Sequence, residues 1–290
     1  MVVKRVFKRF LKQIAKQIVK QAAKRLTWQK TWRNVAVVAA AFAFYAPLTV
    51  NAQPGAPSLV EGWQLTLEQH TASIPWSHAF ALRQDETAHL PEKHRRLIHE
   101  LETLRISARV ANQPELAAGL AHWKNAISGF SAQHARTPGR FDLPWLGAHL
   151  RQVPPLSAIA VWGFCQVPDW VEVWSLDGVQ RVPWHAELYL AELTRGLSKA
   201  ASQADHAALI MPSGNVLRRG VASWNREKTP LAPGSRVFFE LPHHQGLRSA
   251  LPRALPLPDI DTERTLVNQL LPTLLSTRLP GDECPLWQAN

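Results

Sequence analysis

Residues 158–197 read AIAVWGFCQVPDWVEVWSLDGVQRVPWHAELYLAELTRGL, and residues 207–239 read AALIMPSGNVLRRGVASWNREKTPLAPGSRVFF. Ala158 to Phe164 and Trp170 to Ser175 are apolar or alternating runs of strand length. Pro168-Asp169 reads as the turn between them, and Asp177-Gly178 as the next turn. His185 to Leu197 is expected as one helix, with Leu188, Leu190, Leu193 and Leu197 available for burial. Ala207 to Met211, the Pro212-Ser213-Gly214-Asn215 turn, the run from Val216, Trp224-Asn225 and the Pro233-Gly234 turn before Val237-Phe238-Phe239 supply three more strands. The sequence of two strands, a helix and three strands predicts a small mixed sheet packed on one helix, an α+β layer.

Upstream, Trp63 to Leu67 alternates like a short strand and Ile74-Pro75-Trp76 breaks it. From Glu92 the period changes, and Leu97, Leu101, Leu104 and Ala108 are helically spaced. Pro114 opens a second helix with Leu116, Leu120, Trp123 and Ile127, and Asn112-Gln113 joins the two into a hairpin. Thr137 to Pro144 ends the helical stretch and returns the chain to extended structure. Downstream, Asp259 or Asp261 can cap a last helix whose apolar face is Val267, Leu270, Leu271, Leu274 and Leu275. Pro272 removes a backbone donor there, so a kinked or two-piece helix is expected.

The chain has 290 residues, with 33 Lys and Arg against 22 Asp and Glu, for a net charge of +11. Eleven of the basic residues lie within the first 33 positions, which contain no acid, so the remainder is formally neutral. A neutral body lacks the basic stripe that phosphate-backbone binding needs, and no nucleic-acid partner is expected. Apolar residues make up 46% of the chain, enough for one or two small cored domains and incompatible with disorder. Val35 to Ala46 is a run of about 12 apolar residues, shorter than the roughly 20 that span a bilayer. Followed by Pro47 and Val50-Asn51-Ala52, it has the layout of a secretory signal peptide, with cleavage after Ala52 and export of residues 53–290. An uncleaved signal anchor is the alternative. Val3, Phe7, Phe10, Ile14, Ile18 and Ala22 share one helical face among lysines, which suits an anionic membrane surface; an extended leader with no later role is the bland reading.

Catalytic patterns are absent: there is no Walker loop, G-x-G-x-x-G, G-x-S-x-G or HExxH. His89, His94 and His99 recur every five residues, a spacing that scatters imidazoles around a helix, so no metal site is expected. His243-His244 reads as solvated, Ser213 as a turn residue, and no carboxylate pair stands out. No cofactor is expected. Cys165 and Cys284 both fall in the exported part, where they can pair; two separate thiols are the alternative. Arg140 is the charge to single out. It follows Gly139 where helix gives way to strand, and a guanidinium there suits bidentate recognition of a carboxylate or phosphate. Its alternative is a pairing with Asp142 or a helix C-terminal carbonyl. Pro183-Trp184 and Trp224-Asn225 invite sugar stacking, but the apolar neighbours of each indole place both in the core.

Val171-x-Val173-Trp174, Gly178 followed by Pro183-Trp184, Tyr189-Leu190, Leu209-Ile210-Met211-Pro212-x-Gly214, Ala222-x-Trp224-Asn225 and Leu231-x-Pro233-Gly234-Ser235 occur in order. Together they resemble the capsule biosynthesis GfcC family. Gly139-Arg140 with Pro144, Asn268, and Arg278-Leu279-Pro280 extend the resemblance over residues 76–280. It implies an exported, periplasmic protein encoded with capsule or exopolysaccharide genes. It implies an α+β fold of β-grasp-like domains with an inserted helical hairpin and a C-terminal amphipathic helix. Gly139 and Arg140 become ligand-binding candidates. The organisation so read is 1–52, basic leader and signal peptide; 53–155, an abbreviated first β-grasp-like domain with the hairpin; 156–241, a second β-grasp domain; and 242–290, a Pro-rich linker and C-terminal helix. The expected function is non-enzymatic, in capsule or exopolysaccharide biosynthesis and export, with polysaccharide or polysaccharide-export proteins as partners and a membrane contact as a further one. The alternative is a periplasmic glycan-modifying enzyme with an unrecognised site.

Overall fold

A computed structural model describes residues 56–131, 134–242 and 262–288. The residues read as leader and signal peptide, His243-His244, most of the Pro-rich segment and the cap candidates Asp259 and Asp261 lie outside the described residues. The fold is mixed α+β, with two sheets and packed helices.

Helix α1 (Leu59–Gln69) replaces the strand expected at Trp63 to Leu67. Leu59, Gly62, Trp63 and Thr66 follow the i, i+3, i+4, i+7 spacing and are buried, whereas Leu65 and Leu67, which created the alternation, are exposed. The Glu61 carboxylate accepts from the Ser58 backbone N–H at 2.6 Å and fixes the first turn. Strand β1 (Ala79–Arg83) follows, unforeseen in the sequence. Helix α2 (Gln84–Val110) starts before Glu92 and runs through Pro91, with Asp85 and Glu86 favouring its N-terminal turn. Asn112, at φ 52°, supplies the left-handed residue that turns the chain into helix α3 (Pro114–Ser128). The expected leucine faces of this hairpin pack on each other. Helix α4 (Leu143–Ala148) interrupts the extended return, its N-terminus capped by Asp142.

Strand β2 (Ile159–Phe164) does not pair with β3 (Trp170–Ser175). It runs antiparallel to β1, with Ala81 opposite Trp162, and on its other side to β8 (Leu286–Gln288), with Trp162 opposite Trp287. Pro168-Asp169 therefore connects two sheets and is not a hairpin turn. The partner of β3 is β4 (Gly178–Pro183), whose register closes at Ser175 opposite Gly178. Strands β5 (His206–Ile210), β6 (Val216–Gly220) and β7 (Arg236–Phe239) complete a five-stranded sheet in the order β4-β3-β7-β5-β6, with β3 and β7 parallel at its centre. Period-two alternation divides this sheet cleanly. Trp174, Ala208, Ile210 and Phe238 face the hairpin, while Val171, Val173, Ala207, Leu209, Val237 and Phe239 face a second cluster with Leu190 and Leu193.

The single helix expected over His185 to Leu197 is cut to α5 (Leu190–Leu193) and one 3-10 turn. Tertiary pairing takes the upstream backbone: Leu231 N–H donates to Leu188 O at 3.0 Å and Leu190 N–H to Thr229 O at 2.9 Å. Helix α6 (Thr262–Ser276) spans Pro272 and buries Val267, Leu271, Leu274 and Leu275 against the hairpin core. Asn268 secures it by mimicking a strand partner, accepting from Leu241 N–H at 2.9 Å and donating to Leu241 O at 3.0 Å. The described residues fall in one compact unit, 56–290.

Candidate functional site

The loop after β6 carries the most accessible large aromatic side chain among the described residues. Trp224 is 73% exposed, which overturns its expected place in the core; Trp184 is partly buried and packs against the second cluster. The loop is held from both ends. Glu227 N–H donates to Gly220 O at 3.1 Å, and the Glu227 carboxylate accepts from Gly220 N–H at 3.1 Å and from Arg219 at 3.0 Å. The Gly220 N–H, then the Arg219 charge, keep the Glu227 carboxyl below the usual carboxylate range. Val221 N–H and the Asn225 side-chain amide both donate to Asp205 O at 3.0 Å. A Cβ on Gly220 would lie 2.0 Å from Asn225 O, so only glycine lets the loop return this closely.

So buttressed, Trp224 stands edge-on to the His206 ring at 6.4 Å. It borders a cleft of about 400 Å³ between the loop and the segment after α5. Val221 and Phe239 give the cleft apolar surface, and Ser202, Asp205, Ser223 and Arg226 give it hydroxyls and both signs of charge.

The residues singled out from sequence lie elsewhere. Arg140 grips Asp142 with two bonds of 2.9 Å, the pairing named as the alternative to ligand binding, and its side chain is 51% exposed. Gly139, at φ 137°, donates its N–H to Ser213 O at 2.9 Å and so docks the return segment on the β5–β6 turn. Cys165 and Cys284 form a disulfide that ties the end of β2 to the segment entering β8. His94 bonds through Nε2 to Ile127 O at 3.0 Å, while His89 and His99 are exposed.

Sequence reasoning passed over Arg136, four residues before Arg140 and 1% exposed. Its guanidinium donates to the carbonyls of Ser276, Pro212 and Met211, and its own N–H to Thr277 O. Burial, and after it the charge of Arg236, press its pKa well below the ordinary arginine value. The carbonyl cage lowers the cost of that charge and joins three distant segments. A second group surrounds Trp170. Arg181 lies 4.1 Å from its ring centroid, and Glu172 accepts from Arg236 at 3.0 Å and from the Trp174 indole at 2.8 Å. Both arginine clusters are engaged in internal bonds, whereas the Trp224 cleft presents polar and aromatic groups outward together.

Residues 179–252 match the family described as capsule biosynthesis GfcC, C-terminal, and the match supports the GfcC capsule biosynthesis family for this chain. The matched segment begins in β4 and takes in β5, β6, β7 and the Trp224 loop. A GfcC-like domain suggests a role in capsule biosynthesis. Among curated proteins no match is found.

Proposed function

We propose that this chain is a non-enzymatic periplasmic protein of capsule or exopolysaccharide biosynthesis and export, which binds glycan or a component of the export machinery. The observation that carries the reading is the GfcC match over residues 179–252. The strand order β4-β3-β7-β5-β6, with a parallel central pair and a helical segment between its first two hairpins, supports β-grasp as the fold of residues 170–239. On that reading the hairpin α2–α3 is an insertion in an abbreviated first β-grasp-like domain, and α6 is the C-terminal amphipathic helix. The signal-peptide layout of residues 34–52 supports export, and no helix among the described residues is long and apolar enough to cross a membrane.

In a host that carries this gene, in-frame deletion is expected to abolish or shorten surface polysaccharide, and the full chain supplied in trans to restore it. Purified protein is expected to begin at Gln53 and to fractionate with the periplasm. Surface polymer unchanged by the deletion would overturn the proposal, and turnover of the host polymer by purified protein would overturn its non-enzymatic part.

A further inference from the structure

We infer that the cleft beside Trp224 is a saccharide-binding site, and that its ligand is a pyranose residue bearing a carboxylate, within a longer glycan. The inference deepens the glycan reading proposed above and rests on it for the polymer's place in capsule assembly.

Three features of the cleft converge on this ligand. An exposed indole is the surface on which the flat C–H face of a pyranose ring stacks. Its exposure of 73% costs the free protein apolar hydration that a sugar ring would relieve. The platform is also set in advance. Bonds from Gly220, Val221, Asn225 and Glu227 fix the loop on either side of the tryptophan, so binding does not have to order it. The cavity volume, about 400 Å³, falls within the range of about 300–1,000 Å³ typical of small-ligand sites.

The lining selects among sugars. Ser202 and Ser223 offer hydroxyls that both donate and accept, and the Asp205 carboxylate accepts from sugar hydroxyls. Arg226, two residues beyond Trp224 and exposed, supplies the cation. A guanidinium that near a stacking surface pairs with a sugar carboxylate through two parallel charge-assisted bonds, which are stronger than any it makes to the hydroxyls of a neutral hexose.

The test is a calorimetric titration of the full chain with trigalacturonate, and with maltotriose as the neutral counterpart. Saturable binding of trigalacturonate is expected, with affinity weakened about tenfold or more by Trp224→Ala and largely kept by Trp224→Phe. Arg226→Gln is expected to weaken trigalacturonate binding and leave maltotriose unaffected. The indole N–H resonance of Trp224, identified by its loss in Trp224→Phe, is expected to shift during titration of the unmodified chain. Absence of saturable binding, a Trp224→Ala chain that binds as well as the original, or an unmoved Trp224 resonance would each overturn the site. Maltotriose bound as tightly as trigalacturonate would overturn the carboxylate assignment. Loss of surface polymer on gene deletion without binding here would refute the cleft alone. Binding with surface polymer intact would refute the capsule role alone.

Discussion

The two sheets of this protein are assembled in opposite ways. The five-stranded sheet takes every strand from residues 170–239, and each antiparallel neighbour but one is reached through a short turn. The three-stranded sheet gathers residues 79–83, 159–164 and 286–288, so each pairing closes a long loop. Loop closure costs conformational entropy before any contact forms, and such a sheet depends on ties from outside its own ladder. Those ties are the Cys165–Cys284 disulfide, the Arg136 cage and the His78 contact with the Pro233 carbonyl.

Removing them one at a time should grade the dependence. The disulfide spans 119 residues of sequence, and replacing both cysteines by serine is expected to destabilise the protein by about 4 kcal/mol. Thermal melting of the variant and of reduced wild type should coincide; a three-stranded sheet whose amide protection survives reduction would break the comparison. Arg136→Met comes next. It strips the carbonyls of Met211, Pro212 and Ser276 of their buried donor, at an expected cost of about 3 kcal/mol, read as a drop of about 10 °C in Tm.

A smaller, pH-dependent effect belongs to His78. Its Nε2 donates to Pro233 O at 3.1 Å, and in the neutral ring Nδ1 accepts from Ser77 Oγ at 2.9 Å. Burial depresses its pKa below 6.5, with Arg136 adding to the effect and the Pro233 bond opposing it. A folded-state pKa below the unfolded one means that this contribution is fully present above pH about 6.5 and is lost as pH falls through the lower folded value. The melting temperature should therefore fall between pH 7.5 and 5.5, and His78→Gln should flatten that slope. The smallest effect is expected at Arg140. Asp142 keeps its bond to the Trp145 N–H without it, so Arg140→Ala should cost about 0.5 kcal/mol by chemical denaturation.

The same contrast explains what could be read in advance. Trp170 to Ser175, the Pro212 to Asn215 turn and Val237 to Phe239 carry local patterns, and β3, β5, β6 and β7 follow from them; β4 was passed over, and Ala158 to Phe164, expected beside β3, belongs to the other sheet. Leu286–Gln288 has three residues, too few for a period, and Ala79–Arg83 reads AFALR, which favours neither strand nor helix on its own. Residues 63–67 imitate a strand because Leu65 and Leu67, both exposed, alternate with polar residues; the capping Glu61 three residues after Ser58 is the contrary signal. At the candidate site, the apolar neighbours of Trp224 assign it to the interior, against the 73% exposure that the structure gives it. Its exposure is a property of the returning loop, set by Gly220 and Asn225. Arg136 had no local signature at all, since its partners lie 75, 76 and 140 residues away.

Synthesis delivers the three strands of the smaller sheet far apart in time. Residues 79–83 and 159–164 emerge early and can pair, but one edge of β2 stays open until residues 286–288 are made. An open strand edge is a template for another chain, and here it persists while the whole larger sheet is being produced. Cys165 waits at the end of that edge for a partner equally late to arrive. Residues 284–288 therefore close the same strand twice, once through the disulfide at its end and once through the ladder along its edge.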